Sequence, residues 1–248
     1  MKVIGVIPAR YESSRLPGKP LADIIGKPMI QWVYETASKS KLLTELVVAT
    51  DDERIVGVVR AFGGRAVMTD PNASTGSDRV AEVVRNRDED IVVNIQGDEP
   101  FLDPLMIDEI VAPLANDPEL PMCTSMHEVL RSEDFNNPNV VKVVTDVDGN
   151  ALYFSRSLIP FPRKPEGHQV FEHIGIYAYR RQFLLTLASL PQTPLEKLES
   201  LEQLRVIECG HRLRVVETKR PYIALSVDTP EDLETARDHA RRLVGGEV

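Results

Sequence analysis

Short runs rich in Val and Ile alternate with helical patterns through the first half of the chain, and this alternation limits the fold more than any other feature. Residues 3–7, 46–50, 66–68 and 91–96 are apolar runs of strand length. Between them, Ile55, Val58, Val59 and Phe62 recur at helical spacing and are closed by Gly63-Gly64. Val80, Ala81, Val83 and Val84 follow Ser77-Asp78, which is expected to cap that helix. Pro104 opens a third helical pattern through Met106, Ile107, Ile110, Val111 and Leu114. Strands with almost no polar interruption are buried on both faces. The spacing therefore predicts an α/β fold with a doubly wound, mostly parallel sheet and helices on both sides.

The middle of the chain reads differently. Residues 122–126, 140–145, 152–155 and 174–179 are strand-like runs joined by loops, and 159–167 carries Pro160, Pro162 and Pro165. Prolines at that density exclude a regular helix or a central strand. Residues 130–185 are expected to leave the main sheet as an extension, which suits a dimer surface or an exposed lid equally. Leu198, Leu201, Leu204 and Ile207 then mark one helix face, and 213–217 and 223–228 read as strands. In Thr229-Pro230-Glu231-Asp232, Thr suits the N-cap, Pro the first helical position and Asp the third, a capping-box pattern. There is no internal repeat, and residues 1–248 are expected to form one domain.

The formal charge of −9 argues against a dedicated nucleic-acid binder, which carries a basic surplus. Cys123 and Cys209 are too few for a disulfide framework or a structural zinc site. No run approaches the ~18 apolar residues of a membrane span, and the N-terminus does not resemble a signal peptide. The expectation is a cytoplasmic protein without membrane insertion.

Against that acidic background, the loop after the first strand is basic: Pro8-Ala9-Arg10-Tyr11-Glu12-Ser13-Ser14-Arg15-Leu16-Pro17-Gly18-Lys19-Pro20. In an open α/β sheet, ligands bind beyond the carboxyl ends of strands, where this loop must lie. Arginine forks, a lysine point charge and loop amides suit a polyphosphate, although a solvated basic loop has the same composition. It is not a Walker A loop, because Gly18-Lys19 is followed by Pro20, and no G-x-G-x-x-G turn is present. Asp98 follows the 91–96 run and Gly97, and Asp228 precedes the capped helix. A strand-end carboxylate is a natural Mg²⁺ ligand, and two of them can hold metal against substrate phosphates. Each also fits an ordinary Asx turn or cap. Strand alternation puts His173, Gly175, Tyr177 and Tyr179 on one face, with room at the glycine for a ligand or simply a polar outer face. The remaining histidines lack metal-ligand spacing, and no nucleophile elbow or Cys–His pairing is present.

Six segments in order carry a resemblance: the basic loop with its flanking Ile7 and Leu21, Asn94-Ile95-Gln96-Gly97-Asp98-Glu99-Pro100, Tyr153-Phe154-Ser155-Arg156, His173-Ile174-Gly175-Ile176-Tyr177, Leu201-Glu202-Gln203-Leu204-Arg205 and Val227-Asp228-Thr229-Pro230-Glu231-Asp232-Leu233. Together they resemble the 3-deoxy-manno-octulosonate cytidylyltransferases, or CMP-Kdo synthetases. The resemblance implies a Rossmann-like sheet of the nucleotide-diphospho-sugar transferase type and a homodimer formed through the sheet extension. It implies CTP and the sugar acid Kdo as substrates, Mg²⁺ as cofactor, and a role in lipopolysaccharide synthesis. By that resemblance Arg10, Arg15 and Lys19 bind the CTP phosphates, with Pro8, Ala9, Ser13, Ser77 and Gln96 also on the nucleotide. Gln96, Arg156, His173, Tyr177, Glu202 and Gln203 line the sugar site. Lys19, Asp98 and Asp228 carry catalysis, the two aspartates as metal ligands.

Two departures stand out. The family usually reads Ser-Gly-Thr-Asp/Glu-Arg at the second helix where this chain has Thr75-Gly76-Ser77-Asp78-Arg79, which keeps both hydroxyls. It often has Arg before the strand histidine, where this chain has Glu172. That change keeps the 8-amino form of the sugar open as a substrate. A CMP–sialic acid synthetase and a noncatalytic nucleotide-binding module are the other readings.

Overall fold

In the computed structural model, which describes residues 1–12, 15–73, 75–164, 166–223 and 225–246, the apolar runs form one mixed sheet. β1 (Val3–Pro8) is central and pairs parallel with β4 (Glu45–Thr50) and β6 (Ile91–Asn94). β2 (Asp23–Ile24) and β3 (Lys27–Pro28) form a separate two-residue ladder. β5 (Ala66–Met68) closes the β4 edge in parallel. Side chains of β1 divide between two cores, as the pleat requires. Val3 and Ile7 face α1 (Met29–Ala37), α2 (Glu53–Ala61) and α4 (Pro104–Asn116). Ile4 and Val6 face α3 (Gly76–Val84), α5 (Arg181–Ser189) and α7 (Leu204–Glu208).

The other half of the sheet is not parallel throughout. β10 (Phe171–Arg180) lies between β6 and β7 (Met122–Glu128), antiparallel to both, while β11 (Arg214–Glu217) pairs parallel with β7 at the edge. The segment 130–185 thus divides. β8 (Lys142–Thr145) and β9 (Ala151–Ser155) form a hairpin attached to the start of β10, whereas β10 itself runs into the middle of the main sheet. On β10, Ile174, Ile176 and Ala178 enter one core, and Tyr177 and Tyr179 pack on the other, matching the expected alternation. Both faces are covered, so this is not a polar outer face.

Three local expectations are corrected. The cap of α3 is Thr75, with Asp78 at the third position completing a capping box, and Ser77 is buried inside the helix. The leucine face from 198 to 207 is divided between α6 (Pro194–Glu199), a link holding Leu201, and α7: Ser200 adopts φ +54° and ends the first helix, with Leu198 exposed. The described residues of 223–228 form no strand. The capping box of α8 (Pro230–Gly245) is as expected, with Thr229 as the cap. α8 is held by a third apolar cluster in which Leu233, Ala236 and Ala240 meet Val227, Ile24 and Met29.

Candidate active site

Three chain segments converge where β1 ends. Pro8 lies against Gly97 so closely that a Cβ on Gly97 would stand 2.7 Å from the Pro8 carbonyl oxygen, and one on Gly76 would stand 3.4 Å from the Pro8 ring. Glycine at 97 is therefore required by close approach of two backbones. These segments bound a cleft of about 380 Å³ lined in part by Pro8, Ala9, Arg10, Arg15, Lys19, Gln96, Asp98 and Asp228. The basic loop returns on itself. Gly18, at φ +69°, donates its N–H to the Tyr11 carbonyl at 2.9 Å, and the Arg54 guanidinium stacks 3.3 Å from the centre of the Tyr11 ring. That fold delivers Lys19, on a short 3₁₀ turn, into the cleft.

The Lys19 ammonium donates to Asp98 Oδ2 at 2.8 Å and to Asp228 Oδ1 at 3.0 Å, and Arg15 Nη2 lies 3.0 Å from the same Asp228 oxygen. The two carboxylates lie about half the chain apart in sequence but share one cation. Their backbones are joined as well, because the Val227 N–H donates to the Asp98 carbonyl at 2.9 Å. Asp228 is anchored from behind by Asp232, whose carboxylate accepts the N–H groups of both Asp228 and Thr229. Thr229, not Asp228, caps the helix, so the Asp228 carboxylate is left for the cleft.

These residues fit a divalent cation. The donors are two carboxylates that already converge on one positive charge, although among the described residues no group of three or more His, Cys, Asp or Glu is placed to hold a metal ion. Mg²⁺ favours such a site, with one or two carboxylates and the rest of its shell from water and phosphate. Burial, with Asp98 and Glu172 nearby, pushes the Glu99 carboxyl up to about 8.

A second cluster adjoins the first. His173 and Tyr177 stand on β10 with their rings 5.4 Å apart. Thr124 Oγ1 lies 2.9 Å from His173 Nε2 and 2.8 Å from the Ile176 carbonyl, and Gln203 Nε2 lies 3.4 Å from His173 Nδ1. The threonine hydroxyl has a carbonyl to donate to. The consistent assignment is His173 Nε2–H donating to Thr124 and Nδ1 accepting from Gln203. Burial pushes the His173 ring down to about 3, so it stays neutral. Tyr177 donates its hydroxyl to Gln203 Oε1 at 3.4 Å. Glu202 accepts from the Ser77 hydroxyl at 3.2 Å, and burial raises its carboxyl. Gln96 links the two regions: it lines the cleft, and its Cγ lies 3.8 Å from where a Cβ on Gly175 would stand.

Most of the residues singled out from the sequence are brought together. Ser77 is turned toward Glu202, while Thr75 and Gly76 line the cleft in its place. Arg156 donates from Nε to the Glu199 carbonyl and from Nη1 to the Pro138 carbonyl. Ser13 lies outside the described residues. Arg79 was missed. It is buried, lines the cleft, and bonds Asp51 at 2.8 Å and Thr69, the residues just past β4 and β5.

Comparison with known proteins decides the family. Residues 4–214 match the family model described as Cytidylyltransferase. A relative from Syntrophotalea carbinolica, named 3-deoxy-manno-octulosonate cytidylyltransferase, is 53% identical over 98% of this chain and 100% of its own length. A relative of the same name from Geotalea daltonii is 54% identical over 94% of this chain and 96% of its own length. The chain belongs to the 3-deoxy-manno-octulosonate cytidylyltransferase family. Its fold agrees throughout with a solved CMP:2-keto-3-deoxy-manno-octonic acid synthetase complexed with CTP, at TM-score 0.94 and 45% identity, covering 98% of this chain and 100% of that one. A 4-diphosphocytidyl-2C-methyl-D-erythritol synthase from Anaerococcus prevotii, at 15% identity and TM-score 0.62, shares the fold alone. Among the described residues of this cytidylyltransferase-family chain, no helix is long and apolar enough to cross a membrane.

Proposed function

We propose that this chain transfers CMP from CTP to the anomeric hydroxyl of Kdo, releasing pyrophosphate, in the cytoplasm and for lipopolysaccharide synthesis. The observation that carries this reading is the Lys19 ammonium bound to both Asp98 and Asp228 in a cleft also lined by Arg10 and Arg15. In this reading the cations meet a triphosphate and the two carboxylates beside them a metal. The full-length relatives and the CTP-bound structure supply the nucleotide and the sugar.

Both reactants are anions, so electrostatics dominates the barrier. Arg10, Arg15 and Lys19 attract the triphosphate, with Pro8, Ala9 and the 75–79 segment beside the nucleoside. Gln96, Arg156, His173, Tyr177, Glu202 and Gln203 hold the sugar acid, and neutral His173 adds a hydrogen-bonding edge without a charge. Bound at Asp98 and Asp228, Mg²⁺ would shield the phosphates and acidify the attacking hydroxyl. Lys19 and the loop amides face negative charge developing at the α-phosphorus, where preorganised donors act most strongly. Alignment of two bound reactants can remove roughly 7–11 kcal/mol of barrier.

The proposed assembly is a homodimer through the 130–185 region, where Leu130, Leu152 and Phe161 are 87%, 57% and 82% exposed. Glu172 is already paired with His127 at 2.9 Å, which favours Kdo over an amino sugar needing that carboxylate. The test is mass spectrometry of products from CTP and Mg²⁺ with Kdo, 8-amino-Kdo or sialic acid. CMP-Kdo as the main product is expected. CMP bound to another sugar moves the specificity, and nucleotide binding without product points to the noncatalytic module.

A further inference from the structure

Lys142 is fully buried at the start of β8, with 0% of its surface exposed. Its ammonium donates to three backbone carbonyls: Asn137 at 2.9 Å, Val140 at 2.8 Å and Arg156 at 2.7 Å. An ammonium has three N–H donors, so its capacity is filled. Burial drives this group toward neutrality, and the nearby carboxylates of Glu172 and Glu199 oppose that. Burying an ammonium costs several kcal/mol, and an apolar side chain of similar volume would pack as well or better. What an apolar side chain cannot do is tie three separate points of the backbone to one atom.

Those three points all bear on Arg156. Its own peptide is gripped on both sides, the N–H by Glu199 Oε2 at 3.0 Å and the C=O by Lys142. Its guanidinium is oriented by Nε donating to the Glu199 carbonyl at 2.8 Å and Nη1 to the Pro138 carbonyl at 2.9 Å. Pro138 lies in the 137–140 turn that Lys142 also holds. The lysine therefore fixes both the root of the arginine side chain and one of the two carbonyls that aim its head.

We propose that Lys142 is a positioning residue for the sugar acid, acting through Arg156. This rests on the reading of Arg156 as a sugar-acid contact, and the test separates the two. Lys142→Met removes the donors and keeps the length. Arg156→Met removes the contact. Steady-state kinetics with CTP and Kdo are measured for each variant and for the pair, with thermal midpoints alongside.

Lys142→Met is expected to raise KM for Kdo by about tenfold, the scale of one or two lost charge-assisted hydrogen bonds, while KM for CTP moves less than about twofold. Arg156→Met is expected to do the same. The double variant should be no worse than Arg156→Met alone, because contacts in one chain of action do not add. A Lys142→Met variant that shifts both KM values together, or whose effect multiplies in full with Arg156→Met, overturns the proposal and marks Lys142 as merely structural. If Arg156→Met raises KM for Kdo and Lys142→Met does not, the proposal fails and the reading of Arg156 stands. If Arg156→Met leaves KM for Kdo unchanged, that reading fails and takes the proposal with it. Should Lys142→Met not fold, Lys142→Gln, which keeps an amide donor at shorter reach, goes through the same cycle with the same criteria.

Discussion

The N–H of Val227 donates to the carbonyl of Asp98 at 2.9 Å, joining the segment before α8 to the turn after β6. This bond sets two carboxylates side by side although about half of the chain separates them in sequence. The third apolar cluster holds the α8 side, and the contact between Gly97 and Pro8 holds the other. Lys19 then bridges the pair. The site is thus built from rigid backbone contacts, which suits chemistry that depends on aligning two anions.

The carboxylates are the first target. Asp98→Asn and Asp228→Asn keep the shape and remove one negative charge from the proposed metal site. Each should lower kcat on the order of 10²-fold or more, the scale seen when one electrostatic group of an active site is removed. CTP affinity by calorimetry should change little, since Arg10, Arg15 and Lys19 remain. Near-normal pyrophosphate release by either variant would refute the metal role.

Gly97→Ala tests the floor of the cleft. The added Cβ would meet the Pro8 carbonyl oxygen at 2.7 Å, and backbone cannot swing aside as a flexible side chain does. Overpacking of this kind costs about 1–3 kcal/mol. For a chain of this size the thermal midpoint should fall by roughly 2–4 °C per kcal/mol, with activity falling too. An unchanged midpoint would show that the two segments separate easily.

Local patterns around the cleft were more legible in the sequence than strand order and direction. The basic loop, Gly97-Asp98 and the Thr229–Asp232 capping box are local patterns whose chemistry is carried by neighbouring residues, and all three stand where expected. Strand direction is not local. Nothing in 171–180 tells that β10 inserts antiparallel between β6 and β7, because that depends on how the chain returns from the β8–β9 hairpin. Leu198 kept the helical period of its neighbours, yet the left-handed Ser200 ended the helix, and Leu198 is exposed. Arg79 was hidden because periodicity assigns arginine to the surface. Its partners Asp51 and Thr69 become neighbours only once β4 and β5 are paired.

Thr229→Ala separates the helix cap from the carboxylate beside it. Thr229 Oγ1 accepts the Asp232 N–H at 3.2 Å, and the Asp232 carboxylate in turn holds the N–H of Asp228. Loss of the cap should cost about 1 kcal/mol of stability. Because the same box orients Asp228, the Mg²⁺ concentration giving half-maximal turnover should rise severalfold. A lower midpoint with unchanged Mg²⁺ dependence would mean that Asp228 is positioned without the cap, by Val227, Lys19 and Arg15.

His173 should make stability depend on pH in a defined direction. Its ring falls from an ordinary value of 6.5 to about 3 because burial disfavours the imidazolium. Between those values the unfolded chain binds a proton that the folded protein refuses. Its contribution is therefore complete above pH 6.5 and is lost as pH falls toward 3, by at most about 1.4 kcal/mol per pH unit. His173→Gln keeps an amide that can bond Thr124 and Gln203 but does not titrate. Urea denaturation of both proteins at pH 7.5 and pH 5 reads the difference. The wild type should lose more stability than the variant over that interval, even if the variant is the less stable at pH 7.5. Equal losses would show that the folded site accepts the proton and that His173 is not held neutral.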